Sequence, residues 1–175
     1  MSDAKPKILI SACLLGQKVR YDGKDNLQSH PRLQRWIVEG RVVTVCPEMA
    51  GGLPTPRPPS EIQLNKTADD VLSSQGKVTT VEGDDVTAEY VKGAQVALKL
   101  AQDDHICVAI LKARSPSCGS TQRYDGTFSN TLVDGMGVTA ALLLQHDIQV
   151  FDESRIDEAL DAALESAKAS VPGCK

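Results

Sequence analysis

The chain has 175 residues, 41% of them hydrophobic and 24% charged, with a formal net charge of −4. This length suits one globular domain with a substantial core, and the acidic balance gives no support to nucleic-acid binding driven by total charge. No apolar run approaches the ~20 residues that cross a bilayer, and the polar MSDAKPK start is unlike a secretory leader. We therefore expect one cytoplasmic domain over residues 1–175, in which the five cysteines serve metal binding or catalysis more than disulfides.

Short apolar runs alternate with amphipathic segments along the chain, which is typical of an α/β fold with a parallel sheet. Strands are predicted over Lys7 to Ala12, Val42 to Cys46, Ile106 to Leu111, and Ile148 to Phe151. Helices are predicted after Ser29 and Pro31, after Asp85 or Thr87, beyond Gly137, and after Ser154. The expected architecture is an open, mostly parallel sheet flanked by helices.

Three segments interrupt this alternation. The stretch from Pro47 to Pro59 contains five prolines and two glycines, which argues against regular structure and predicts a stiffened loop. Between residues 61 and 83, β-prone runs on either side of Gln75 and Gly76 could form a small antiparallel β flap. The stretch from Lys112 to Asp134 is predicted to be a long loop.

Three cysteines lie at or beyond the ends of predicted strands: Cys13, Cys46 and Cys118. The carboxyl ends of parallel strands share one edge of a sheet, and ligands bind at that edge, so we expect the three thiols to converge. Thiolates select iron–sulfur clusters, zinc or copper(I), and three of them could hold a [4Fe-4S] cluster with one iron left for a substrate. The simpler alternative is that each cysteine is a small buried hydrophobic residue.

The other two cysteines are interpreted differently. Cys107 lies inside a predicted strand, so we expect it to pack in the core. Cys174 is the penultimate residue, where chains are usually mobile, and we expect a dispensable surface thiol. Neither cysteine is included in the candidate metal site.

Polar side chains accompany the three cysteines. An extended backbone would place Glu48 on the same side as Cys46, where its carboxylate could act as a general base or a proton donor. A tight turn would bring the Ser115 hydroxyl near Cys118, and Asp22 follows Cys13 closely enough to be a third candidate catalytic residue. Each also has a simpler explanation, because Glu48 could be a solvated loop acid and Ser115 and Asp22 could be turn formers.

Basic residues occur in or near the same loops, and they are Arg20, Arg57, Lys112, Arg114 and Arg123. Several of them could form a positive rim for a phosphate, although scattered arginines are normally only solvated. We take Arg20, Arg114 and Ser117 as candidates for substrate binding.

The chain contains the segments ILISACLLGQKVRYDG, VCPEMAGGLPTPRPPSEI, AILKARSPSCG, YDGTFSN and GVTAALLLQHDIQVFDE. Together they extend from about Lys7 to Glu153 and resemble the bacterial thiouracil desulfidases, a family formerly known as a domain of unknown function. The resemblance implies an oxygen-sensitive [4Fe-4S] cluster held by the three cysteines already singled out. It also implies that Glu48 is the catalytic carboxylate and that Ser115 supplies the active-site hydroxyl, while Asp22 is assigned less securely.

By that resemblance, the reaction removes sulfur from a thiolated uracil without net redox change. The soft thiocarbonyl sulfur would bind the unligated iron, which polarises the C=S bond as a Lewis acid, and water would then replace the sulfur at the ring carbon. The resemblance implies 2-thiouracil, 4-thiouracil, 4-thiouridine, its nucleotide, or 4-thiouridine within tRNA as substrate. We expect a thiolated base or nucleotide, leave tRNA open, and expect no membrane partner.

Two functions of other classes compete with this one. In the first, an iron–sulfur or zinc site only stabilises the sheet edge, which requires a fourth strong ligand that the sequence does not offer unless Glu48 binds. In the second, the chain is a nucleotide-binding module without metal, but neither a P-loop nor a Gly-x-Gly-x-x-Gly turn follows the first strand.

Overall fold

The computed structural model of the chain describes residues 5–25, 27–168 and 174. The strands are β1 (Ile8–Ser11), β2 (Val42–Val45), β3 (Ser60–Ile62), β4 (Val78–Thr80), β5 (Val108–Ile110), β6 (Gln122–Tyr124), β7 (Leu132–Asp134) and β8 (Gln149–Phe151). The helices are α1 (Pro31–Val38), α2 (Pro47–Ala50), α3 (Ala68–Leu72), α4 (Thr87–Asp103), α5 (Val138–Gln145) and α6 (Ile156–Lys168). Two short 3₁₀ turns cover Ala12–Leu15 and Glu153–Arg155.

A four-stranded parallel sheet lies at the centre of the fold, in the spatial order β2-β1-β5-β8. Strands β1 and β5 occupy the middle and are buried along their whole length. This is why their sequences read as continuous apolar runs without alternating polar residues. The predicted α/β fold with a mostly parallel sheet is confirmed.

Helices cover both faces of this sheet. Successive residues of a strand face opposite sides, so Ile8 and Ile10 pack with α1 and α6, whereas Leu9 packs with α4 and α5. All three side chains are fully buried, and each such burial stabilises the fold by about 1.5–3 kcal/mol. The sheet is therefore a rigid support for the loops that follow its strands.

Two smaller antiparallel pairs lie beside the central sheet. Strands β3 and β4 pair where the flap is predicted, but helix α3 lies between them and was not anticipated. Strands β6 and β7 pair within the stretch that is predicted to be a loop, so that expectation is wrong for six of its residues. Each strand has only three residues, which is too short for a periodic pattern to reveal it.

The proline-rich stretch begins with a helical turn, which corrects the prediction of a loop. Helix α2 places Pro47 at its first position, where a missing backbone N–H costs nothing and the fixed φ suits the helix. Residues 51–59 that follow contain neither helix nor strand. The expected loop is therefore shorter than its proline content suggests.

Two glycines bring α2 directly against α4. A Cβ atom added at Gly93 would lie 1.9 Å from the carbonyl oxygen of Pro47, and one added at Gly51 would lie 1.9 Å from the carbonyl oxygen of Glu89. No side chain fits at either position without moving the backbone. The two helices are thus held at a separation that only glycine permits.

Cys107 and Cys174 form a disulfide, so the interpretations of both residues are wrong. Cys107 precedes β5 and is only half-buried, at the amino edge of the sheet, because the strand is shorter than its apolar run. Cys174 reaches this edge, and its sulfur also lies 3.3 Å from the carbonyl oxygen of Ile106.

Among the described helices, none has both the length and the apolar character that crossing a bilayer would require.

Candidate active site

The loops that follow β1, β2 and β5 form one cavity of about 540 Å³ at the carboxyl edge of the sheet. Cys13, Cys46 and Cys118 all line it, and none of the three takes part in a disulfide. Adjacent parallel strands deliver these loops to the same place, as is usual for ligand sites in open α/β sheets. The thiols thus lie together as predicted, although they are far apart in the sequence.

Each thiol is positioned by a different local structure. Cys13 lies in the 3₁₀ turn directly after β1, and Cys46 is the residue between β2 and the first turn of α2. Cys118 lies in a turn beyond β5, where the Ser11 hydroxyl donates to its sulfur at 3.5 Å. The Ser11 oxygen also accepts the backbone N–H of Lys112 at 3.0 Å, which ties the ends of β1 and β5 together.

Burial makes all three thiols weaker acids than an ordinary cysteine in the protein without metal. Burial, with a smaller contribution from Cys46, raises the pKa of the Cys13 thiol to about 11. Burial also raises the pKa values of Cys46 and Cys118. Three thiolates at one cavity would also repel one another, and a bound cationic centre would supply the compensating charge.

Glu48 is held at the cavity by two buried partners. The Tyr90 hydroxyl donates to Glu48 Oε1 at 2.5 Å, and Arg57 Nε donates to the same oxygen at 3.3 Å. The side chain of Arg57 is 4% exposed and that of Glu48 is 16% exposed. The carboxylate thus has a fixed orientation with limited access to solvent, which argues against a freely solvated loop acid.

Arg57 also joins the loop after β1 to the proline-rich loop. Its guanidinium donates to the carbonyl oxygens of Val19 at 3.0 Å and Pro54 at 3.1 Å, and its backbone N–H donates to the carbonyl oxygen of Tyr21 at 2.7 Å. Five donors in a planar fork suit such a role. Arg57 is therefore a structural partner of Glu48 more than part of an open positive rim.

Ser115 lines the cavity close to Cys118. Its hydroxyl oxygen accepts the backbone N–H groups of Ser117 and Cys118, each at 3.1 Å. A hydroxyl that accepts two hydrogen bonds still has its own proton to donate. The turn therefore fixes Ser115 Oγ as a donor group beside the thiols, as well as shaping the loop.

The basic residues at the cavity differ in whether a carboxylate lies close enough to form an ion pair with them. Arg20 and Arg114 both line it. Arg20 lies 4.0 Å from the Asp22 carboxylate, and Lys112 pairs with Glu153 at 3.0 Å. In the described part of the chain, no ion pair of Arg114 is found within the same distance limit.

Asp22 and Ser117 do not line the cavity. Asp22 is exposed and accepts the backbone N–H of Lys24 at 3.0 Å, as a turn-forming aspartate does. Ser117 is fully buried, and its hydroxyl is 2.8 Å from that of Thr139 on α5. The structure thus brings together the other seven candidates and places these two outside the cavity.

Several cavity residues were missed from the sequence or not assigned to the site. The cavity is also lined by Tyr21, Tyr124, Phe128 and Asn130, and by Glu61 of β3. The sequence signals for this group are two Tyr-Asp-Gly triplets, beginning at Tyr21 and Tyr124, and the segment YDGTFSN, which contains Phe128 and Asn130. Tyr90 carries no signal, because its contact with Glu48 depends on the packing of α2 on α4.

The donor set fits an iron–sulfur cluster. The described residues contain no group of three or more His, Cys, Asp or Glu side chains that is placed to hold a single metal ion. A [4Fe-4S] cluster takes its thiolates on separate iron atoms, so its ligands do not have to meet at one point. Three unpaired thiols around one cavity are the kind of donors that such a cluster requires.

Comparisons with known proteins identify the family of the chain. The model of the 2-thiouracil desulfurase family matches residues 8–155. Protein YbbK of Bacillus subtilis (strain 168), described as uncharacterized, is 41% identical over 153 residues, which cover 87% of this chain and 99% of YbbK. The solved structure of the [4Fe-4S]-dependent thiouracil desulfidase TudS has 46% identity and a TM-score of 0.82, covering 90% of this chain and 97% of TudS. The resemblance noted in the sequence is confirmed, and the chain belongs to the 2-thiouracil desulfurase family.

Proposed function

We propose that this chain is a [4Fe-4S]-dependent desulfidase that hydrolyses the C=S bond of a thiolated uracil, giving the oxo-pyrimidine and sulfide without net redox change. One observation carries the proposal: three unpaired thiols from three strand ends share a cavity with an oriented carboxylate and a hydroxyl. The family assignment and the likeness to TudS support desulfidase activity on thiouracil.

Cys13, Cys46 and Cys118 are the residues that would hold the cluster. When bound, a cluster with one iron free of protein ligands supplies a Lewis acid for the soft sulfur of a thiocarbonyl. Two of the three residues are almost fully buried, since Cys13 is 7% and Cys118 is 5% exposed, whereas Cys46 is partly exposed. Cluster binding is expected to release the thiol protons, so it is favoured by rising pH.

Glu48 is assigned the proton transfer and Ser115 a hydrogen bond to the reacting atoms. The Glu48 carboxylate accepts a proton from the water that replaces sulfur at the ring carbon and passes it to the departing sulfur, while Tyr90 and Arg57 hold its Oε1 atom. Ser115 Oγ, whose lone pairs are taken by two N–H groups, donates its hydrogen bond toward the reacting atoms. Neither group needs a large rearrangement, because both already line the cavity.

The basic residues favour a substrate that carries a phosphate. Arg57 is neutralised by Glu48, Lys112 by Glu153, and Arg20 lies near Asp22, which leaves Arg114 as the exposed cation at the cavity. A guanidinium binds a phosphate through two parallel hydrogen bonds. We infer that a thiolated uridine nucleotide is preferred over the free base, and tRNA remains a third substrate to be compared.

The test of the function uses protein purified without oxygen. Loss of thiocarbonyl absorbance from 4-thiouracil and 2-thiouracil is followed together with sulfide release, iron content and acid-labile sulfide. Cys13→Ala is expected to lose both iron and turnover, whereas Glu48→Ala is expected to keep the iron and lose turnover. A protein that holds the cluster and leaves both thiouracils intact would support a purely structural cluster, and a protein with one zinc would overturn the cofactor.

The substrate preference is tested by comparing 4-thiouracil, 4-thiouridine and 4-thiouridine 5′-monophosphate. Arg114→Met is expected to raise KM for the nucleotide by about ten- to 150-fold, as loss of a charge-assisted hydrogen bond of about 1.5–3 kcal/mol predicts, and to leave the free base unaffected. Equal effects on nucleotide and base would refute a phosphate contact at this residue.

A further inference from the structure

Aromatic side chains are concentrated at the cavity. The whole chain has six aromatic residues, namely two Phe, three Tyr and one Trp, and Tyr21, Tyr124 and Phe128 all line this one cavity. Tyr21 is 43% exposed, so its ring is not part of the hydrophobic core. Aromatic faces at a site are the usual means of binding the flat face of a nucleobase.

One of these aromatics lies in an unusual backbone conformation. Phe128 has φ +56° and Asn130 has φ +60°. Asparagine tolerates this left-handed region, but a bulky residue such as phenylalanine is rarely found there. Such a conformation costs about 1–3 kcal/mol and persists where the surroundings enforce it, often at binding sites. We call the segment 125–131 the recognition loop. It holds Phe128 at the cavity in a backbone conformation that is less stable than the usual ones.

The recognition loop is held by the flap. The Glu61 carboxylate of β3, itself 8% exposed, accepts the backbone N–H groups of Gly126 at 2.9 Å and Phe128 at 3.2 Å. A Cβ atom added at Gly126 would lie 2.5 Å from the carbonyl oxygen of Ile62, so the loop touches the flap backbone directly. The loop is thus pre-organised, and ordering it on ligand binding costs little.

The amide of Asn130 matches the edge of a thiolated uracil. Its carbonyl oxygen can accept one hydrogen bond and its NH₂ group can donate one. In both 2-thiouracil and 4-thiouracil, the N3–H donor lies beside the one remaining C=O acceptor. A side-chain amide can pair with both, because its C=O accepts from N3–H while its NH₂ donates to the ring carbonyl. Asn130 is at the cavity wall two residues from Phe128, so one loop offers a stacking face and an edge-reading group.

We propose that the recognition loop selects the substrate, with Phe128 stacking on the pyrimidine ring and Asn130 reading N3–H and the adjacent carbonyl. This inference rests on the proposed function but concerns base recognition, not sulfur removal. It also defines the ligand class, which is a pyrimidine with an imide-like N3–H and carbonyl edge. Uracil itself carries that edge and no sulfur, so it is expected to bind at the same place.

The test compares Asn130→Gly with Asn65→Gly as a matched control. Asn65 has φ +63° and lies exposed in the flap, outside the cavity, so both substitutions relieve the same backbone conformation. Using cluster-loaded protein, kcat/KM is measured for 4-thiouracil and for 3-methyl-4-thiouracil, which lacks N3–H. Asn130→Gly is expected to lower kcat/KM for 4-thiouracil by about ten- to hundredfold, to lower it less for the methylated analogue, which keeps only the carbonyl contact, and so to reduce the preference between them.

A second measurement separates this proposal from the proposed function. Uracil binding to full-length protein is followed by calorimetry, with and without the cluster, and Phe128→Leu is expected to weaken it by about five- to hundredfold. Uracil binding that depends on Phe128 and Asn130 would support the recognition loop even if no thiouracil is desulfurised. Uracil affinity unchanged by both variants, or equal losses for 4-thiouracil and its methylated analogue, would overturn it while leaving desulfidase activity standing.

Discussion

Tyr90→Phe is the most informative single change outside the cavity wall. Tyr90 is 1% exposed, and its hydroxyl donates to Glu48 Oε1. Phenylalanine keeps the ring in the core formed by the flap, α4 and α5. The substitution therefore removes one hydrogen bond to a carboxylate and leaves the packing in place.

The expected magnitude follows from that hydrogen bond. A bond to a charged group contributes about 1.5–3 kcal/mol, and among the described residues Glu48 would keep only the Arg57 contact of its side chain, at 3.3 Å. If that energy orients the carboxylate during the reaction, kcat falls by about ten- to 150-fold. KM is expected to stay the same, because Tyr90 does not line the cavity.

The assay is anaerobic steady-state sulfide release, with iron content measured on the same samples. Thr80→Val is the control, because it removes a buried hydroxyl that accepts the Asp84 N–H at 3.1 Å, on a residue that does not line the cavity. It is expected to lower the free energy of unfolding without changing kcat. A Tyr90→Phe protein with full iron content and unchanged kcat would refute the positioning role.

Urea unfolding of the metal-free protein measures the same contact. The effects of Tyr90→Phe and Glu48→Gln on the free energy of unfolding are expected to be non-additive by about 1–3 kcal/mol.

Three further predictions concern the scaffold and the thiols. Gly93→Ala places a methyl group 1.9 Å from the Pro47 carbonyl oxygen, so α2 must move, and both iron content and urea resistance are expected to fall; full iron loading would contradict this. Cys174→Ser opens a disulfide that spans 67 residues, and chain entropy predicts a loss of up to about 4 kcal/mol in unfolding free energy. Iron and turnover should not change, since the disulfide is at the opposite edge of the sheet, and a loss of iron would tie it to the site. In metal-free protein, Cys13 has a pKa of about 11 against 9.0 for an ordinary thiol, so its alkylation at pH 8 should be about 100-fold slower. Its contribution to stability is present below pH 9 and is lost as pH rises toward 11, and rapid alkylation of Cys13 at pH 8 would contradict the burial.

The sequence was sufficient to predict the parallel sheet and the meeting of the three cysteines. Both follow from local patterns, because buried central strands have continuous apolar runs and the strand ends of a parallel sheet share one edge. Cys46 illustrates this well, since the run RVVTV before it and the proline after it mark the end of a strand. The extended backbone expected around Glu48 is wrong, because Glu48 lies in the first turn of α2, although it does line the same cavity as Cys46.

Features that depend on tertiary packing could not be predicted. The approach of α2 to α4 is decided by glycines 42 residues apart, at 51 and 93, and it alone brings Tyr90 to Glu48. The Glu61 contact with the recognition loop also joins residues more than 60 positions apart. The sequence does not reveal the disulfide of Cys107, because the predicted strand begins at Ile106, two residues before β5 begins at Val108, and so includes Cys107.

The ratio of sulfide released to thiouracil consumed, measured anaerobically on protein with a known iron content, tests the central claim most directly. The account predicts one sulfide and one oxo-pyrimidine for each thiouracil, without added reductant, from protein that contains four irons per chain. Consumption without sulfide, dependence on a reductant, or full turnover by iron-free protein would contradict it.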